Sequence, residues 1–109
     1  LAHLDLAGSA KQVTLSKALY ELGEKEQGLS HLISLTRDPE AFVRYEAAFS
    51  LGELGDRKAI PALKALRKDK AMPQQYDEEG FLRTTTAWSV GEQARKSIKK
   101  IKPGWRIRK

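Results

Sequence analysis

The sixteen residues Asp38 to Glu53, DPEAFVRYEAAFSLGE, return 39 residues later as Asp77 to Glu92, DEEGFLRTTTAWSVGE, with eight positions identical. Val43/Leu82, Phe49/Trp88 and Leu51/Val90 are conservative exchanges. A short chain that repeats itself in this way is built from units that cannot bury their apolar faces alone and must stack to do so. From Glu40 to Gly55, helical spacing puts Val43, Ala47, Leu51 and Leu54 on one face, and Phe42 and Phe49 on a second apolar ridge. Gly55 suits the end of that helix and Asp56 the cap of the next. A second helix, roughly 58–68, then turns Ile60, Leu63 and Leu66 inward and Lys64, Arg67 and Lys68 outward, with Pro61 tolerated near its start. The unit is a helical hairpin.

The same unit is legible upstream. Leu29, Leu32 and Leu35 precede Ile60, Leu63 and Leu66 by 31 positions, and LYELGE (Leu19 to Glu24) precedes LGELGD (Leu51 to Asp56) by 32. Leu1 and Leu4 lie a further 31 residues before Leu32 and Leu35, which suggests that the chain opens inside the second helix of a preceding repeat. Its first residue being Leu rather than Met fits a fragment or a processed chain from which any targeting signal has already gone. Two helices per period of about 31 residues predict an all-α solenoid of about two and a half hairpins. The solenoid spans 1–102, with repeats at about 9–38, 39–69 and 77–102, an insertion loop at 70–76 and a basic tail at 103–109.

The segment DPEAFVRYEAAFSLGELGDRKAIPALKALRKD, Asp38 to Asp69, resembles the HEAT-like repeat first noted in phycobilisome lyases. It shares an Asp before the first helix, Val-Arg in its first turn, an Ala pair, Leu-Gly before the turn and Ala-Ile-Pro-x-Leu opening the second helix. The resemblance implies a right-handed α-α superhelix. It also implies that Asp38 with Arg44, and Asp77 with Arg83, form a structural ladder between turns. Ala47, Ala48 and Gly52 are read as small because helices approach closely there.

Two departures from the pattern carry information. Between Asp69 and Asp77 the chain inserts eight residues, with Pro73 opposing a helix and Met72 and Tyr76 as its contact residues. After Glu92 no Gly-Asp turn follows, and Ala87, Gly91, Ala94, Ile98 and Ile101 continue one stripe. This predicts one long C-terminal helix stopped at Pro103-Gly104. Charge is also uneven, because residues 95–109 hold eight of the twenty Lys and Arg and no acid, leaving twelve basic against fourteen acidic residues before them.

No cysteine is present, so disulfides, thiolate metal sites and cysteine nucleophiles are excluded, and a reducing, cytoplasmic setting is the expectation. No apolar run approaches the ~18–20 residues of a membrane span. The two histidines, His3 and His31, have no acid at metal-ligand spacing. Deoxyhypusine hydroxylases share this repeat type and bind iron through His-Glu pairs, and the chain has no His-Glu dipeptide. No phosphate loop or nucleophile motif occurs, and the carboxylates at 77–79 read as helix-dipole partners. No metal or other cofactor is therefore expected.

The expected function is a non-enzymatic adaptor that binds another protein on a concave face carrying His31, Ser34, Lys64, Arg67 and Lys68, with end-to-end self-association as a further possibility. The alternative is nucleic-acid binding, in which Arg95, Lys96, Lys99, Lys100, Trp105, Arg106, Arg108 and Lys109 join the second-helix cations against phosphates. A bilin-lyase-like subunit is a third reading, which follows from the family name alone.

Overall fold

The computed structural model describes the backbone of residues 2–76, 79–85 and 88–102, and the side chains of 11–74, 79–81 and 88–102. Its first hairpin joins α1 (Ala2–Glu21) to α2 (Lys25–Leu35). The turn between them uses Gly23 at φ 114°, a left-handed conformation that costs glycine little, and closes with the Glu24 N–H donating to the Leu19 carbonyl at 2.9 Å. The second hairpin is α3 (Ala41–Leu54), a 3-10 turn Arg57–Ala59, and α4 (Ile60–Ala65). Gly55 ends α3 in the left-handed conformation, Asp56 accepts the Lys58 N–H, and Pro61 stands in the first turn of α4, as the sequence predicts.

A two-stranded antiparallel hairpin follows, β1 (Gln74–Tyr76) and β2 (Leu82–Thr85), paired Gln74 to Thr85, Gln75 to Thr84 and Tyr76 to Leu82. The last element is α5 (Val90–Ile101). It runs parallel to α3, since Ser97 lies against Ala48 and Gly52 while Lys100 reaches Glu53. Packing of α1 on α2 and α3, of α2 on α3, and of α5 on α3 and α4 makes one stacked solenoid. Leu29, Leu32, Val43, Ala47, Leu51, Leu63, Val90, Ala94 and Ile98 form its continuous core.

Four expectations change. The second copy of the repeated segment is not a helix from Asp77: its middle is strand β2, and the C-terminal helix starts only at Val90. The physical reason is composition, because Tyr45-Glu46-Ala47 becomes Thr84-Thr85-Thr86, a β-branched run that loses helix propensity and gains strand propensity. The 70–76 insertion is likewise part strand, its last three residues forming β1. Residues 2–21 form one continuous helix, so Leu4 belongs to the first helix of the first hairpin rather than to an earlier repeat. Finally, the second buried side of α3 is made by Ala48, Ser50 and Gly52, while Phe49 stands 44% exposed. Small residues let α5 approach, which a Phe ridge would prevent.

Candidate functional site

The ladder is present, with a different partner. Arg44 Nε donates to Asp69 Oδ2 at 2.7 Å, and Arg44 Nη1 donates to the carbonyls of Asp38 and Pro39 at 2.9 and 3.0 Å. Asp69 lies 31 positions after Asp38 and is its true equivalent, whereas the Asp38 carboxylate accepts the Glu40 N–H at 2.9 Å. Asp77 and the Arg83 side chain lie outside the described residues. Arg44 thereby ties the start of α3 to the end of the second hairpin, which is structural work.

Two further polar links join successive repeats. Tyr20 Oη donates to Asp56 Oδ2 at 2.8 Å, from the first hairpin to the second. That bond and burial raise the Tyr20 phenol above its usual value, while the Lys58 amide, ahead of the Tyr20 bond, lowers the Asp56 carboxyl. Between α5 and α3 a relay runs from Trp88 Nε1 to Gln93 Oε1 at 2.8 Å, Gln93 Nε2 to Ser97 Oγ at 3.1 Å, and Ser97 Oγ to the Ala48 carbonyl at 2.7 Å. Gln93 and Ser97 are buried and fully used.

On this frame His31 and Ser34 are exposed on α2, where with Glu26, Gln27 and Ser30 they line a shallow depression of about 570 Å³. Lys64, Arg67 and Lys68 are exposed at the α4 end, and none of them lines that depression. They meet the C-terminal cations instead. Arg95 Nη1 donates to the Arg67 carbonyl at 2.8 Å, so two clusters 28 residues apart in sequence share one surface. Lys96 stands 4.3 Å from the Trp88 ring centroid, a cation–π distance. Lys100 pairs with Glu53 and holds its carboxyl below the ordinary range through that hydrogen bond. Lys99 is exposed beside Glu92, Arg95 and Lys96 around a dip of about 180 Å³. Trp105, Arg106, Arg108 and Lys109 lie outside the described residues, as does the Tyr76 side chain. Met72 is exposed on the insertion.

A groove between α1 and α2 completes the surface and was not foreseen from sequence. Its volume is about 560 Å³, and Gln12, Leu15, Leu19, His31, Leu35 and Asp38 line it. The signal was the offset of 32 seen in LYELGE: carried back along α1, it sets Leu15 and Leu19 at the positions of Ala47 and Leu51. Among the described residues no group of three or more His, Cys, Asp or Glu could hold a metal ion, and no helix is long and apolar enough to cross a membrane.

The family model for HEAT repeats matches residues 4–74, well over half of the chain. This chain belongs to the HEAT-repeat family. The match stops at the first residue of β1, where the HEAT periodicity gives way to the hairpin. Deoxyhypusine hydroxylase-B of Oryza sativa subsp. japonica is 44% identical over 41 residues, 38% of this HEAT-repeat chain and 14% of that protein. The chain therefore spans a small part of the curated relative it matches. No solved structure matches it. HEAT repeats generally mediate protein–protein interaction, and that general property is what membership brings.

Proposed function

We propose that this chain is a non-enzymatic adaptor of the cytoplasm that binds another protein through the outward surface of its second helices. The observation that carries the reading is the exposure of His31, Ser34, Lys64, Arg67 and Lys68 while the polar groups Arg44, Asp69, Gln93 and Ser97 are engaged in bonds within the stack. His31 and Ser34 share the α2 surface with no hydrogen bond between them among the described residues, and we read the outward groups as contact groups. A hydroxylase role of the kind named by the rice relative would need His-Glu pairs, and the two histidines are followed by Leu4 and Leu32.

The test is site-specific photocrosslinking in cell extract, with benzoylphenylalanine at Ser34 or Lys64 and at the exposed Lys11 as control. A discrete protein adduct at Ser34 and Lys64, absent at Lys11 and lost in Lys64→Glu/Lys68→Glu, supports the adaptor. Adducts at all three positions alike, or none, reject it.

Nucleic-acid binding is the second reading, favoured by the Arg95–Arg67 hydrogen bond that merges the two basic clusters. Its weakness is that Arg95, Lys96 and Lys100 already serve internal contacts. Salt-dependent anisotropy of labelled oligonucleotides with the chain and with its Lys64→Glu/Lys68→Glu/Lys99→Glu variant, whose changes lie at exposed positions, decides it, since phosphate contacts release counterions and weaken steeply with salt.

A further inference from the structure

Charge is distributed along this chain in blocks. Residues 1–56 carry five basic and nine acidic side chains, whereas 57–70 carry six basic ones and a single acid, Asp69, which Arg44 already pairs. Residues 95–102 add five basic side chains and no acid. The fold joins the two cationic blocks along one seam. The backbone from Arg67 to Ala71 runs antiparallel to the start of α5: the Arg67 carbonyl accepts Arg95 Nη1 at 2.8 Å, the Asp69 carbonyl accepts the Gly91 N–H at 2.7 Å, and the Ala71 carbonyl accepts the Val90 N–H at 3.0 Å. Lys64, Lys68, Lys70 and Lys99 are exposed about that seam and form no ion pair among the described residues. Met72, 47% exposed, stands at its end. The surface is unlike the contacts between repeats, which are built from Leu, Val, Ala and Gly. Residues 103–109 hold three more cations and no acid, so they bring it no neutralising charge.

We infer that this seam takes an acidic segment of a partner protein, with Asp or Glu side chains set against Lys64, Arg67, Lys68, Lys70, Arg95 and Lys99 and an apolar side chain set against Met72. The sign of the partner follows from charge complementarity. Its length follows from α5, whose 12 residues rise ~18 Å at ~1.5 Å each, the span of roughly five extended residues at ~3.3 Å. A polypeptide fits better than a nucleic acid because the cations end where the seam ends. The row of second helices passes onto exposed Glu24 and Glu26 at the start of α2, and exposed Glu92 stands among Arg95, Lys96 and Lys99. A nucleic acid strand, charged every ~3.4 Å, would lay phosphates against those carboxylates. A peptide can place an uncharged residue opposite each. The Met72 thioether is a flexible contact for an apolar side chain, which a phosphate backbone does not offer.

The inference rests on the protein-binding reading and names the chemistry of the partner. The probe is a fluorescein-labelled dodecapeptide of Asp, Glu and Leu, titrated by anisotropy near physiological salt. It is compared with the same peptide carrying Asn and Gln for the acids, and with a single-stranded dodecanucleotide. The expected result is binding of the acidic peptide with amide shifts along α4, 67–72 and α5, and binding of the neutral peptide weaker by about tenfold, or ~1.4 kcal/mol. Lys64→Glu/Lys68→Glu and Lys99→Glu, at exposed positions, should each weaken the acidic peptide several-fold with unchanged circular dichroism. Met72→Ser should weaken it as well. Lys11→Glu on α1 makes the same change in net charge as Lys99→Glu, and screening of a remote charge should keep its effect within about twofold. No binding of the acidic peptide, equal affinity for the acidic and neutral peptides, or equal losses from Lys11→Glu and Lys99→Glu would each overturn the inference. Tighter binding of the oligonucleotide than of the acidic peptide would overturn it too, by making a nucleic acid the occupant. A discrete crosslinked protein at Ser34 and Lys64 alongside any of those outcomes would leave the adaptor reading standing and remove this inference alone.

Discussion

At the scale of the residue, Gly52 shows how a small group decides packing. A Cβ there would lie 2.6 Å from Ser97 Oγ, 2.8 Å from its Cβ and 3.0 Å from its Cα. Helix propensity alone would favour Gly52→Ala by ~1 kcal/mol. The contact with the α5 backbone reverses that sign, and we expect a net loss of about 1–3 kcal/mol in urea denaturation. Glu46 carries the opposite kind of information. Burial pushes its carboxyl above the ordinary carboxylate value of 4.5. The folded chain therefore binds that proton more tightly, and its favourable contribution is complete below the ordinary value and lost as pH rises through the raised one. Near neutral pH the half-buried charge is a cost, so Glu46→Gln should melt higher than the parent, with the difference vanishing in acid. Equal melting temperatures at pH 7 would show that Glu46 is adequately solvated.

At the scale of the element, one tetrapeptide pattern takes two roles. Ser50-Leu51-Gly52-Glu53 lies inside α3, while Ser89-Val90-Gly91-Glu92 begins α5 with a full capping box. Ser89 Oγ accepts the Glu92 N–H at 3.1 Å and Glu92 Oε1 accepts the Ser89 N–H at 3.2 Å. The cap functions because β2 has already ended the chain's extended course and leaves the start of α5 in need of acceptors. Ser89→Ala should cost about 1 kcal/mol and accelerate amide exchange in the first turn of α5, whereas Ser50→Ala should leave helix ends unaffected. The strand itself is a matter of composition. Replacing Thr84 by Glu and Thr85 by Ala restores helix formers, and the expected outcome is a gain of helical circular dichroism equivalent to about one turn, ~4 residues.

At the scale of the molecule, stability is a sum of repeat terms and nearest-neighbour interfaces. The interfaces are chemically distinct, Tyr20–Asp56 between the first two hairpins and Ser97–Ala48 between α3 and α5. Ser97→Ala should therefore lower amide protection in α5 and leave α1 and α2 nearly unchanged, and Tyr20→Phe should do the reverse. Each loses about 1–2 kcal/mol by the worth of a hydrogen bond. Uniform loss of protection in either variant would mean that the solenoid opens as one unit. Exposure is polarised at this scale too. The α5 face presents Glu92, Lys96 and Lys99, while the α1–α2 face presents Leu15 and Leu22.

The sequence by itself determined the helical hairpin, its period, the cap at Gly55 and Asp56, and the inward stripes of α3, α4 and α5, because these depend on local propensity and on apolar spacing that any packing partner must respect. It also located the outward second-helix residues, whose exposure follows once the inward ones are known. Tertiary structure decided the rest. Identity between the segments starting at Asp38 and Asp77 suggested equal helices, yet α5 aligns with α3 at a separation of 49 residues, Ser97 to Ala48, rather than 39. Arg44 found Asp69 rather than the carboxylate of Asp38, and Arg95 found the Arg67 carbonyl. Pairings of this kind depend on distances between elements that no periodicity encodes. The groove beside Leu15 and Asp38 belongs with them, because its walls come from two helices whose relative placement only the fold sets.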